Sequence, residues 1–134
     1  MLKVVVRVLV CAVFFFGGIA HFVVTADFVG IVPPFLPWPK VIVWTTGIIE
    51  FLLVIGILSP SLRSVTGKLA ALYCLLVLPA NIYQAVSDVP IFGGLVAPEL
   101  LWLRIPLQFV LIAAILWSTS ENNQKLIHTS TDSV

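Results

Sequence analysis

Residues 41–58 read VIVWTTGIIEFLLVIGIL, an apolar run of eighteen residues with a single charged member, Glu50. A helix rises about 1.5 Å per residue, so this run nearly spans the ~30 Å hydrocarbon core of a bilayer. Strands of a membrane barrel alternate apolar and polar residues, and this run does not. The run therefore predicts a membrane-spanning helix.

Comparable apolar runs occupy residues 4–24, 66–86 and 100–117. Of the 134 residues in the chain, 60% are hydrophobic and only 10% are charged. Soluble domains carry about 25% charged residues, and a small domain has too little interior to bury so much apolar surface. We predict an all-α fold, an integral membrane four-helix bundle. Its transmembrane domain is residues 1–118, and a polar, disordered cytoplasmic tail follows over residues 119–134.

Prolines mark the ends of the predicted spans. Residues 32–39 read VPPFLPWP, and we predict a non-helical loop here because each proline removes a backbone donor and restricts the preceding residue. Pro60 follows the second span, and Pro98 suits the first turn of the fourth helix. Residues 4–24 also fit a cleaved signal peptide. Their length and the lack of an Ala-x-Ala site favour a spanning helix.

The distribution of lysine and arginine predicts the orientation of the bundle. The loops on the side opposite the termini hold Lys40 together with Asp27, Asp88 and Glu99. Cytoplasmic loops carry an excess of Lys and Arg, so both termini are predicted to be cytoplasmic. The basic residues on the side of the termini are Lys3, Arg7, Arg63, Lys68 and Lys125.

Five polar residues in the spans form the candidate binding site. At ~1.5 Å per residue, Glu50 lies ~14 Å and Arg104 ~6 Å below the outer helix ends. A charge inside a span costs about 3 kcal/mol, so we expect Glu50 and Arg104 to form an ion pair. The alternative is purely structural, because polar side chains also hold membrane helices together. The five candidates, all in the outer half of the bundle, are His21, Glu50, Asn81, Arg104 and Gln108.

The sequence carries no motif that names a reaction. It lacks a phosphate loop, HExxH, a dinucleotide fingerprint and GxSxG, so no catalytic residue, metal site or cofactor is assigned. Cys11 and Cys74 form no CxxC, although both fall near mid-membrane and a redox pair stays open. The net charge of +1 gives no footprint for nucleic acid.

Five short motifs resemble the DoxX-like family of small membrane proteins. They are GIAHF at 18–22, IVPPFLP at 31–37, GIIE at 47–50, LPANIY at 78–83 and LWLRIPLQ at 101–108. The resemblance implies a four-helix membrane bundle in the plasma membrane of a bacterium. The five candidate residues match the family's polar positions. The family name comes from a subunit type associated with thiosulfate:quinone oxidoreductase. Quinone is therefore the one cofactor that the resemblance suggests.

We therefore expect a binding or accessory subunit rather than an enzyme. Its polar intramembrane pocket would hold a small amphiphile, a quinone or a lipid, or would dock a membrane or redox protein partner. One alternative is a quinone-linked oxidoreductase subunit in which His21 and Glu50 shuttle protons and Arg104 holds an anionic substrate. A small transporter is the other alternative, but transporters place polar groups toward both sides of the membrane.

Overall fold

The chain is all-α in a computed structural model that describes residues 1–90, 94 and 97–120. Each of the four long helices is apolar enough to cross a membrane, whereas α2 is short. This confirms the prediction of an all-α fold with four candidate spans. The helices of the described residues are α1 (Leu2–Val23), α2 (Thr25–Ile31), α3 (Pro39–Leu58), α4 (Arg63–Val86) and α5 (Pro98–Thr119).

The observed helix bounds differ slightly from the predicted segments. Each long helix begins two or three residues earlier, because prolines and polar residues fit a first helical turn; α3 and α5 begin at Pro39 and Pro98. The seven-residue α2 was not predicted, since it is too short to show a periodic pattern. Of the predicted tail, 119–134, only Thr119 and Ser120 lie within the described residues.

The four long helices form a ring in which α1 contacts α3 and α5, and α4 contacts α3 and α5. Neighbouring helices run antiparallel. The start of α1 meets the end of α5 where Lys3 Nζ donates to Ser120 Oγ at 3.0 Å. The start of α3 meets the α1–α2 junction where Trp44 donates to Thr25, the first residue of α2, at 3.4 Å. The bundle is therefore up-and-down, with α2 folded across one end, which we call the α2 end.

The ring consists of two closely packed helix pairs, α1 with α3 and α4 with α5. In the first pair, a Cβ on Gly47 would lie 2.9 Å from the Cβ of His21. In the second, a Cβ on Gly67 would overlap the side chain of Thr119. Small residues permit such close approach between membrane helices, where packing rather than hydrophobicity drives association.

The end opposite α2, which we call the basic end, is closed by arginine and lysine side chains. Arg7 donates from Nε and Nη2 to the carbonyl of Ser118 at 3.2 and 3.0 Å, and Arg63 Nε donates to the carbonyl of Ile57 at 2.9 Å. These carbonyls belong to the last turns of α5 and α3, where cations also complement the helix dipole. The basic residues thus tie the helices together at this end.

The apolar core fills the bundle between its middle and the basic end. Cys11 and Cys74 are buried in it as free thiols, so the structure contains no disulfide between them. The outward faces of the four long helices carry exposed leucine, valine and phenylalanine, as expected of surfaces in contact with lipid. The core residues are Val10, Cys11, Phe14, Leu53, Ile57, Ala70, Cys74 and Ile115.

Candidate functional site

A cavity of about 550 Å³ lies between the two helix pairs and extends from the α2 end to the middle of the bundle. Apolar side chains form most of its wall, and α2 with the loop after it contributes Phe28, Ile31, Pro33 and Phe35. The structure brings all five sequence candidates to this one cavity. They are His21 from α1, Glu50 from α3, Asn81 from α4, and Arg104 and Gln108 from α5.

Glu50 lies deepest among the polar groups of the cavity and is 8% exposed. The hydroxyl of Tyr73 donates to its Oε1 at 2.7 Å. The other oxygen, Oε2, is buried and has no hydrogen-bond partner in the described part of the chain. Oε2 sits against Gly17, where a Cβ would come within 2.5 Å, so the glycine leaves room for the carboxyl group. Buried polar atoms without partners are rare and call for an explanation.

Tyr73 is the functional neighbour that sequence reasoning missed. It lies near the middle of α4, whereas tyrosine in membrane helices is enriched at the interfaces. A tyrosine at mid-span usually bonds its hydroxyl to a polar partner. The position of Tyr73 at mid-span is therefore the feature of the sequence that indicates a polar partner in the bundle.

His21 is held in one tautomer by its own helix. Its Nδ1 lies 2.7 Å from the carbonyl of Gly17, and a carbonyl only accepts, so Nδ1 carries the hydrogen. The ring stacks on Phe28 with centroids 4.1 Å apart. Nδ1 is 3.8 Å from Glu50 Oε2, beyond hydrogen-bond distance. The second nitrogen, Nε2, has no hydrogen bond to the described residues and is not fully enclosed.

Arg104 does not pair with Glu50, so the predicted ion pair is wrong. Its Nη1 donates instead to Gln84 Oε1 at 2.6 Å, and Gln84 is 1% exposed and donates to the carbonyl of Val89 at 3.4 Å. The physical reason is axial separation. Tyr73, beside Glu50, and Gln84, beside Arg104, are eleven residues apart on α4, which corresponds to ~16 Å.

Of the two remaining candidates, Gln108 lies near the level of Tyr73 and Asn81 lies one turn from Gln84. Gln108 donates from Nε2 to the carbonyl of Cys74 at 3.1 Å. Asn81 is 7% exposed, and its side-chain amide has no hydrogen bond to any described residue. Because its polar atoms are not enclosed by protein, the amide faces the cavity. The cavity therefore offers free donors and acceptors along an apolar wall.

The described residues contain no group of three or more His, Cys, Asp or Glu side chains arranged to hold a metal ion. A carboxyl, an imidazole, two amides and a guanidinium line one space, and the hydroxyl of Tyr73 is bonded to that carboxyl.

The observed hydrogen-bond partners of Glu50 and Arg104 determine what each substitution should do to stability. We expect Glu50→Gln to alter the thermal midpoint only slightly, because the amide oxygen still accepts from Tyr73 and Arg104 keeps Gln84. Gln84→Leu should destabilise the bundle by about 1–3 kcal/mol, since it strands the guanidinium of Arg104. Thermal unfolding in detergent, followed by tryptophan fluorescence, compares the two. A larger loss in Glu50→Gln than in Gln84→Leu would contradict the assignment.

A family model described as a domain of unknown function, DUF8561, matches residues 10–119. This range covers most of α1 and all of α2, α3, α4 and α5. No curated protein and no solved structure matches the chain.

Proposed function

The chain belongs to the DUF8561 family of domains of unknown function, and from this membership and the cavity we propose that it is a membrane-embedded binding protein for a small amphiphile. Its four candidate spans make it a multi-pass membrane protein. The amphiphile, a lipid or a quinone, occupies the cavity between the two helix pairs, with its polar head on the candidate residues.

One observation supports this proposal most strongly: polar groups without protein partners face an apolar cavity. Asn81 has no hydrogen bond to the described residues, and Arg104 uses one of its N–H groups there. Ionisable and polar groups at membrane depth are costly, and they are usually kept for pairing or for a ligand. A volume of about 550 Å³ falls within the ~300–1,000 Å³ of small-molecule sites.

The test is retention of a ligand by the purified protein. We expect native mass spectrometry of the detergent-solubilised full chain to show a bound amphiphile. Ala80→Phe should release it, because residue 80 lines the cavity and the ring would fill the space. Ala113→Phe is the matched control, since residue 113 is exposed on the outer face of α5.

The occupancy of Ala80→Phe should fall about tenfold while Ala113→Phe matches the wild type. Equal occupancy in both variants would place the amphiphile on the outer surface, and an empty wild type after mild solubilisation would also overturn the proposal. Elution as a single folded species in size-exclusion chromatography is the criterion for including a variant.

A second candidate function is that of a quinone-linked oxidoreductase subunit. The supporting observation is His21, whose Nε2 is free to exchange a proton with a ligand while Nδ1 lies 3.8 Å from Glu50. Quinone absorbance in the lipid extract, bleached by a reductant and lost in His21→Gln, would favour this function. A saturated lipid in the extract would exclude a resident quinone.

We also propose four finer features of the protein. The basic end faces the cytoplasm, supported by its Lys and Arg side chains and the positive-inside rule. The membrane is the plasma membrane of a bacterium, and the chain is related to the DoxX-like proteins whose motifs it resembles. A membrane or redox protein partner is also retained as a prediction.

A further inference from the structure

We propose that the amphiphile has an anionic head group, a carboxylate or a phosphate, and that Arg104 binds it near the α2 end of the cavity. This inference rests on the proposed function and adds the chemical class of the ligand. It differs from a neutral quinone site, in which charge on the ligand would make no difference.

The first step is the missing counter-ion. In the part of the chain that the structure describes, no carboxylate oxygen lies within 4.0 Å of a nitrogen of Arg104. Two acidic residues lie in the described spans, and neither pairs with Arg104. Glu50 is held by Tyr73 about 16 Å away along α4, and Glu99 lies in the first turn of α5, five residues before Arg104. A guanidinium at membrane depth keeps its charge, so it needs an anion or water beside it.

The second step is the direction of the side chain. Arg104 lies near the start of α5, from which a long side chain can extend to the interface. Its Nη1 is bonded across to Gln84 near the end of α4, a side chain that is almost fully buried and is itself held by the carbonyl of Val89. Gln84 therefore acts as a positioning residue that holds the guanidinium against the cavity.

The third step concerns the N–H groups of Arg104 that Gln84 does not bind. A guanidinium carries five N–H donors in a planar fork, and Gln84 occupies one of them. The others suit the paired oxygens of a carboxylate or phosphate, which arginine binds with two parallel hydrogen bonds. Asn81 lies one turn from Gln84 on α4 and adds an unpartnered amide donor at the same cavity.

The fourth step is the fit of the tail. Below Arg104 most of the cavity wall is apolar, with Val77, Leu76 and Leu111 lining the same space, although Glu50 and Gln108 also lie there. A head at the α2 end with a chain pointing to mid-membrane has the orientation of a lipid in that leaflet. The site thus matches a single-chain amphiphile with an acidic head.

The experiment compares three probes of equal chain length on the full chain in neutral detergent: dodecanoate, dodecyl phosphate and 1-dodecanol. Native mass spectrometry gives relative affinities. We expect at least one anionic probe to bind about tenfold more tightly than the alcohol, and the tighter of the two identifies the head group. Arg104→Gln should remove this preference, whereas Arg104→Lys, which keeps the charge without the fork, should retain part of it.

Lys40→Gln is the matched control. Lys40 is an exposed cation at the same end of the bundle, lying over Trp44 at 4.6 Å, and its loss should leave the preference unchanged. Equal binding of all three probes to the wild type overturns the anionic head but leaves the binding function intact. A preference that survives Arg104→Gln, or that vanishes in Lys40→Gln, also overturns it. Failure of every probe to bind contradicts the proposed function itself.

Discussion

Gly47→Leu should destabilise the bundle by about 3 kcal/mol, the upper part of the range for overpacked sites. Gly47 forms the contact between α3 and α1, where even a Cβ would lie 2.9 Å from the Cβ of His21 and 2.8 Å from the ring of Phe22. The Cβ of His21 is fixed by its backbone and cannot turn aside. The helices must therefore separate, although leucine forms helices better than glycine.

Gly30→Leu is the matched control for this substitution. A Cβ on Gly30 meets only Val89, at 3.6 Å, which is ordinary van der Waals contact. The gain in helix propensity is similar at both positions, so the difference between the variants isolates the clash. Unfolding in a graded series of denaturing detergent, followed by circular dichroism, measures it. Equal midpoints would mean that α1 and α3 are not packed as closely as the structure has them.

Tyr73→Phe should cost about 1–3 kcal/mol, because it leaves both oxygens of the buried Glu50 carboxyl without a hydrogen bond. The double variant Tyr73→Phe with Glu50→Met should recover that loss or exceed the wild type, since apolar groups of similar shape replace both partners. Recovery in the double variant separates a lost hydrogen bond from a packing defect at residue 73.

The same double variant also tests whether the pair serves stability or binding. If Glu50 exists for the ligand, the stabilised protein should lose occupancy in native mass spectrometry. A pair kept only to fix helix register would instead leave occupancy unchanged while altering the unfolding midpoint. A double variant as unstable as Tyr73→Phe alone would contradict the proposed hydrogen-bond cost.

The four spans were predictable because a domain of this size cannot bury so much apolar surface, which must therefore be in contact with lipid. Residues 41–58 illustrate this, since α3 ends at Leu58 as predicted and begins two residues earlier. The short α2 was not predictable, because a seven-residue helix after a break at Val24 leaves no periodic signal. Its packing across the bundle depends on tertiary contacts that no local pattern encodes.

The sequence predicted that the five candidate residues line one cavity but not which residues they contact. Depth along a helix follows from residue number, so the outer-half position of Glu50 and Arg104 was accessible from the sequence. Rotation about the helix axes and the choice of neighbour were not. Charge alone favoured joining Glu50 to Arg104, whereas each found a closer neutral partner, Tyr73 or Gln84, at its own level.

The two helix pairs are joined unevenly along their length. Arg7 and Arg63 link the pairs at the basic end, and the bond from Tyr73 to Glu50 links them in the middle. The Thr46 side chain, one turn from Glu50 on α3, also interacts with Tyr73, and α2 packs against α3 and α4 at the α2 end. Side-chain hydrogen bonds thus join the pairs at the basic end and in the middle, and the packing of α2 joins them at the other end.

A tilt of one helix pair against the other would change the space between them. A rigid tilt of about 5° about the basic end displaces the far end of a ~30 Å helix by about 2.6 Å. That displacement is about half the width of a hydrocarbon chain, and it requires no change of rotamer within either pair. The angle between the two pairs thus sets the width of the cavity at the α2 end.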